Sequence, residues 1–145
     1  MKDSSMFRQQ GAGLIEVLVT VLILGTSLLA LAALQSKSLQ YNHSAYLRSQ
    51  ANILAYDILD RVRINRKNVG SYSQKMDAGK PSGGTVASSD IRDWLTNIET
   101  MLPGADGAIT CDSSSLCTVE IQWAEQSSSG EEAEEQGSFV YTTRI

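Results

Sequence analysis

Residues 17–34 contain no charge, proline, asparagine or glutamine. Leu14 and Ile15 lengthen this apolar run to 21 residues, and Glu16 is its single interruption. As a helix the run spans about 31 Å, close to the hydrocarbon thickness of a bilayer. A carboxylate one turn inside such a span costs about 2.5–3.5 kcal/mol on insertion scales. A segment that keeps Glu16 at that cost has a use for the charge.

At 145 residues there is room for one modest soluble domain beyond the helix. The net charge of −4 is divided unevenly. Residues 35–67 carry six basic and two acidic side chains, whereas residues 68–145 carry four basic and twelve acidic ones. The acidic part is a poor match for nucleic acid. Lys2 and Arg8 precede the span, and Lys37 and Arg48 follow it closely, so counting positive charges does not fix its orientation.

Helical character is expected to continue past the apolar run, because no glycine follows Leu34 before Gly70 and no proline before Pro81. Leu47, Ala51, Leu54, Ile58 and Val62 recur at steps of four, three, four and four, and Ala55 and Leu59 widen the stripe. This pattern predicts one helix from about Gly13 to Asn65, roughly 80 Å long. Its first half is apolar all round and its second half one-sided. Asp57 with Arg61, and Asp60 with Arg63, have the spacing of ion pairs along a helix surface. Arg66 and Lys67 then complement the dipole at the helix end. A partner-binding or phosphate-binding patch formed by Arg61, Arg63, Arg66 and Lys67 is the sharper alternative.

Residues 68–89 are rich in glycine and serine and read as a loop. Ser89 or Asp90 is expected to cap a short helix running to about Leu102, with Ile91, Trp94, Leu95, Ile98 and Leu102 as its core face. Pro103 and Gly104 end it. Antiparallel strands are expected over 108–111, 117–123 and 139–145. Residues 125–137 hold five glutamates and read as a solvated loop, without the ligand spacing of an EF-hand. The fold class is thus α+β: a long N-terminal helix and a small head with a short helix and an antiparallel sheet.

Cys111 and Cys117 are too few for a structural zinc site, and His43 lies far away in the sequence. A cross-link closing a hairpin is the better reading, and about seven residues in the loop give roughly 2–2.5 kcal/mol in the chain-entropy model. No nucleophile motif, phosphate loop or metal-ligand cluster is present, so neither catalysis nor a cofactor is expected.

The segment Gly11-Ala-Gly-Leu-Ile-Glu16 follows a short leader carrying Lys2 and Arg8 and opens the apolar helix. This arrangement resembles the N-terminus of type IV pilins and type II secretion pseudopilins. The resemblance implies cleavage after Gly11 by a membrane prepilin peptidase and N-methylation of Ala12, which stands where the family usually has phenylalanine. It also implies an assembly role for Glu16, pairing with the amino group released by cleavage. The segment Asp57-Ile-Leu-Asp60-Arg61-Val-Arg63-Ile-Asn65, and Trp94 followed by Leu102-Pro-Gly, resemble minor pilins of the PilV, or pilus-modification, type. Such a protein would be held in the inner membrane by a single span with its head in the periplasm. It would then join other minor pilins and the major pilin in a priming or tip complex and reach the cell-surface pilus.

The organisation that follows is a leader at 1–11, a membrane and filament-core half-helix at 12–34, an amphipathic half-helix at 35–66, a loop at 67–89 and a head at 90–145. Four other readings stand beside it. A minor pseudopilin of type II secretion shares the N-terminal pattern. A secretory signal cleaved after Ala30-Leu-Ala32 would release a soluble periplasmic binding domain starting at Ala33. A plain single-span anchor needs no filament. A competence pilin would bind nucleic acid through Arg61, Arg63, Arg66 and Lys67.

Overall fold

The computed structural model describes residues 12–112, 114–126 and 134–145. Helix α1, Ala12–Ile64, runs through two compact units, residues 1–39 and 40–145. In the first unit the described residues form a helix long and apolar enough to cross a membrane. Leu14, Leu18, Val21, Leu22 and Leu29 each expose more than half of their surface. The hydroxyls inside the apolar run 17–34 are satisfied by the helix's own backbone. Thr20 donates to the Val17 carbonyl at 2.8 Å, Thr26 to those of Leu22 and Ile23, and Ser27 to that of Ile23 at 2.7 Å. Three polar residues are therefore compatible with an apolar surrounding, where an unsatisfied hydroxyl would be costly.

In the second unit α1 contributes its one-sided stripe. Leu47, Ala51, Leu54, Ala55, Ile58, Leu59 and Val62 are all buried. A 3-10 helix, Arg66–Ser71, follows. Helix α2, Val86–Met101, buries Ala87, Ile91, Trp94, Leu95 and Ile98. Strands β1 (Asp106–Cys111), β2 (Leu116–Gln126) and β3 (Glu134–Arg144) form an antiparallel sheet in the order β1-β2-β3. Along β2 the alternation is plain: Cys117, Val119, Ile121 and Trp123 are buried, while Thr118, Glu120 and Gln122 point to the other face. The fold is α+β.

Trp94 joins the layers. It is fully buried, and its indole N–H donates to the Leu54 carbonyl of α1 at 2.9 Å. Its ring lies over Gly107 of β1, where a Cβ would meet Trp94 Cη2 at 2.5 Å. Glycine at 107 thus lets α2 approach the sheet closely. Gly137 on β3 instead leaves room within the sheet for the ring of Trp123, its β2 partner in register, which a Cβ there would strike.

Three sequence expectations need correction. Helix α2 begins before Ser89 and Asp90: Thr85, in extended conformation, accepts from the Ser88 N–H at 3.2 Å and is the cap. Burial of Ala87, one turn before Ile91, draws the extra turn into the helix. Residues 68–89 are not loop throughout. The 3-10 helix occupies the start, Tyr72 is buried, and Gln74 forms an antiparallel bridge with Ile109 through bonds of 3.0 and 2.8 Å. Arg92 donates to the carbonyls of Pro81 and Gly83, and Lys80 pairs with Glu99 at 2.6 Å. Finally, β2 and β3 run on into the glutamate-rich segment, pairing out to Gln126 and Glu134. Ladder hydrogen bonds override the low strand propensity of glutamate there. The rest of that segment, 127–133, lies outside the described residues.

Candidate functional site

The N-terminal candidates belong to the first unit. Gly11 lies outside the described residues, and Ala12 is the first residue of α1. Glu16, four residues on, is exposed and makes no ion pair among the described residues. An i, i+4 relation sets the Glu16 side chain about 6 Å from the start of the helix. A cation at that start would be within reach of the carboxylate.

In the second unit a polar network ties the end of α1 to α2. Arg61 Nε donates to Asp57 at 3.2 Å, and Arg61 Nη1 lies 3.5 Å from Asp90 Oδ1. The other Asp90 oxygen accepts from the Tyr72 hydroxyl at 2.5 Å, and that hydroxyl accepts from Asn65 Nδ2 at 3.1 Å. Partial burial works against the Arg61 charge, but Asp57 and Asp90 together outweigh it and raise its pKa. Burial, followed by donation to Asp90, raises the pKa of Tyr72 above its usual 10.0. The network holds three separate segments in one place: α1, the stretch around Tyr72, and the first turns of α2.

This accounts for half of the four-residue basic cluster. Arg61 is committed to Asp57 and Asp90, and Arg63 pairs with Asp60 at 2.6 Å. Both helix-surface pairs anticipated from the spacing form. Arg66 and Lys67 remain exposed just past α1. With Ile64, Asn65 and Asn68 they line a concavity of about 550 Å³. Sequence reasoning missed Tyr72 and misread Asp90. The one signal for Tyr72 is a lone aromatic in a polar stretch, and Asp90, expected with Ser89 as an alternative cap, is instead the partner of Arg61 and Tyr72.

Cys111 and Cys117 are directly opposed in the β1–β2 register and form a disulfide. The turn they close is organised by Asp112, which accepts from the N–H groups of Ser114 at 2.9 Å and Leu116 at 2.8 Å. The Ser114 hydroxyl, ahead of the backbone donors, lowers the Asp112 pKa below its usual 3.8. On the β3 side, the rings of Tyr56 and Tyr141 meet at 5.0 Å. Among the described residues no group of three His, Cys, Asp or Glu is placed to hold a metal.

A family model described as Tt1218-like, type IV pilin Tt1218, matches residues 33–120. The match covers more than half of the chain. It takes in the amphipathic stripe, the polar network, α2 and the disulfide hairpin, and it begins after most of the apolar run. No curated protein and no solved structure matches the chain.

Proposed function

We propose that this chain, which belongs to the Tt1218-like type IV pilin family, acts as a minor pilin of the PilV type in a complex that primes or tips a type IV pilus. The observation that carries the reading is the pairing of two independent features. The family match lies in the amphipathic helix and head, and the pilin-like Gly11–Glu16 spacing lies upstream of it in the sequence, leading into an apolar helix with no residue buried among those of the apolar span. In this reading prepilin peptidase removes residues 1–11 and methylates Ala12. The apolar half of α1 holds the precursor in the inner membrane, with the head in the periplasm. The same half later packs among the helices of other pilins.

Glu16 sets axial register in that bundle. A carboxylate among apolar helices is unfavourable without a cation, and the new amino group at Ala12 supplies one, in the same or an adjacent subunit. N-terminal sequencing should give a start at Ala12; a start at Ala33 would establish the secretory-signal reading instead. Glu16→Ala should leave membrane insertion and head folding unchanged while reducing recovery of partner pilins and the number of pili. Mass spectrometry of the partners then separates pilus components from secretion components. Undiminished recovery with the alanine variant would remove the register role.

A further inference from the structure

The tyrosines of the second unit sit in different settings. Tyr72 is buried and tied to Asp90, while Tyr46 lies exposed on α1. Tyr56 and Tyr141 have their rings in contact, with centroids 5.0 Å apart and planes tilted by 49°. Tyr56 comes from the amphipathic half of α1 and Tyr141 from β3, so the contact joins the helix layer to the last strand of the sheet. The separation is near the close end of the range of about 4.5–7 Å for aromatic pairs, so the ring edges touch. Tyr141 is partly buried against the core, which limits its movement. Tyr56 is 41% exposed, which lets an oxidant reach it.

Hydrogen bonding with the Tyr141 hydroxyl raises the Tyr56 pKa above its usual 10.0. The hydroxyl ends of the two rings therefore face each other, and the ring carbons ortho to each hydroxyl lie at that meeting point. Tyr56 also stays a neutral phenol at physiological pH, so removing an electron from it releases its hydroxyl proton. Ortho carbons are where two phenoxyl radicals couple. The competing rings of Trp94 and Trp123 are buried. The Cys111–Cys117 disulfide fits an oxidising compartment, where the head would meet oxidants rather than a pool of reducing thiols.

We propose that Tyr56 and Tyr141 are a cross-linking site, joined within one chain as a dityrosine by a one-electron oxidant of the haem-peroxidase class working on hydrogen peroxide. Each phenol gives one electron to the oxidant and its hydroxyl proton to solvent. The two radicals then form a carbon–carbon bond between ortho positions. The ring hydrogens at those positions leave as protons, and the two phenol oxygens regain protons. In sum the protein loses two electrons and two protons, and one hydrogen peroxide becomes two waters. The new bond tethers α1 to β3 across the chain between them. Closing so long a loop takes conformational freedom from the unfolded chain, so the tether keeps the α1 stripe docked on the sheet. The inference uses the geometry of the head alone and does not depend on the pilin reading.

The test treats the full-length protein in neutral detergent with a haem peroxidase and hydrogen peroxide. Peptide mass spectrometry should find the peptides of Tyr56 and Tyr141 joined and lighter by two hydrogens, together with the blue fluorescence of dityrosine. A pair held in contact meets its partner at an effective concentration of about 1 mM or more, against about 1 µM for a second copy at that protein concentration, so coupling within the chain should exceed coupling between chains by about a thousandfold. In a mixture of light and heavy isotope-labelled chains the joined peptides should therefore be light–light or heavy–heavy. Tyr56→Phe should abolish the product, and Tyr46→Phe should leave it unchanged. Unfolding in denaturant before oxidation should lower the yield at least about tenfold, because chance loop closure then replaces packing. The joined fraction should keep its near-ultraviolet circular dichroism at denaturant concentrations that unfold untreated protein. If tryptophan spectra show Tyr56→Phe unfolded, Tyr141→Phe replaces it. The proposal fails if no joined Tyr56–Tyr141 peptide forms, if light–heavy products dominate, or if the denatured chain yields as much as the folded one.

Discussion

Gly107→Ala should destabilise the head through one identifiable collision. A Cβ at this position would lie 2.5 Å from Trp94 Cη2, 2.8 Å from Ile98 Cδ1 and 2.9 Å from Trp94 Cζ3. Carbon atoms prefer about 3.5–4.0 Å, so the indole must retreat by roughly 1 Å. It has no free direction, because Trp94 is fully buried and its N–H is anchored on the Leu54 carbonyl. Overpacking of this kind costs about 1–3 kcal/mol. Straining the indole hydrogen bond adds about 0.5–1.5 kcal/mol. Losing a strand glycine returns about 0.5–1 kcal/mol through the unfolded chain. The expected net loss is about 1–3 kcal/mol, and each kcal/mol lowers the melting temperature of a domain near this size by about 4–8 °C. Thermal unfolding of the full chain in detergent, followed by near-ultraviolet circular dichroism of the tryptophans, measures it. Gly70→Ala, with nothing within 4 Å of its Cβ, is the control and should change stability by less than about 0.5 kcal/mol. Trp94→Phe removes the colliding ring atoms, so its cost should be at least about 0.5 kcal/mol smaller in the Gly107→Ala background than in the parent. Unchanged melting in Gly107→Ala, or strict additivity of the two substitutions, would refute the reasoning.

The remaining predictions concern the network and the hairpin. The raised Tyr72 pKa means that its stabilising contribution is complete below pH 10.0 and is lost as pH rises through the folded-state value, when a phenolate would face Asp90. Tyr72→Phe should therefore lower stability near neutrality by about 1 kcal/mol and make the alkaline decline shallower; identical slopes in a pH series of denaturant titrations would contradict this. Cys111→Ser with Cys117→Ser should cost about 2–2.5 kcal/mol in the same titrations, and thiol labelling of denatured, non-reduced parent protein from cells should leave both cysteines unmodified.

Periodic features were legible in the sequence and long-range ones were not. The α1 stripe from Leu47 to Val62 and the α2 face from Ile91 to Leu102 are all buried, as their helical spacing predicts. The Asp57–Arg61 and Asp60–Arg63 pairs needed only local spacing. The start of α2 was misplaced because Thr85, Ser88, Ser89 and Asp90 all carry side chains able to cap, and burial of Ala87 decided among them. Tyr72 and Asp90 lie 18 residues apart, and nothing periodic links them. The Gln74–Ile109 bridge and the Arg92 bonds to Pro81 and Gly83 are likewise set by tertiary packing. Of the basic cluster, local spacing anticipated the engagement of Arg61 and Arg63 but not the further contact of Arg61 with Asp90, which comes from another element.

The meander order of the sheet bears on how the head folds. Among the three strands each pairs with its neighbour in the chain, so loop-closure entropy is small for β1 with β2 and modest for β2 with β3. The bond from Trp94 to Leu54 instead closes 40 residues. Low contact order favours the sheet as an early event and leaves docking of the α1 stripe for last. Substitutions in the β1–β2 hairpin, such as Val119→Ala, should then slow folding, while Ile58→Ala in α1 should chiefly speed unfolding. Stopped-flow kinetics giving the reverse pattern would place α1 docking first. With the predicted order, the α1 stripe is the last surface to leave solvent during folding and the first exposed when the head opens.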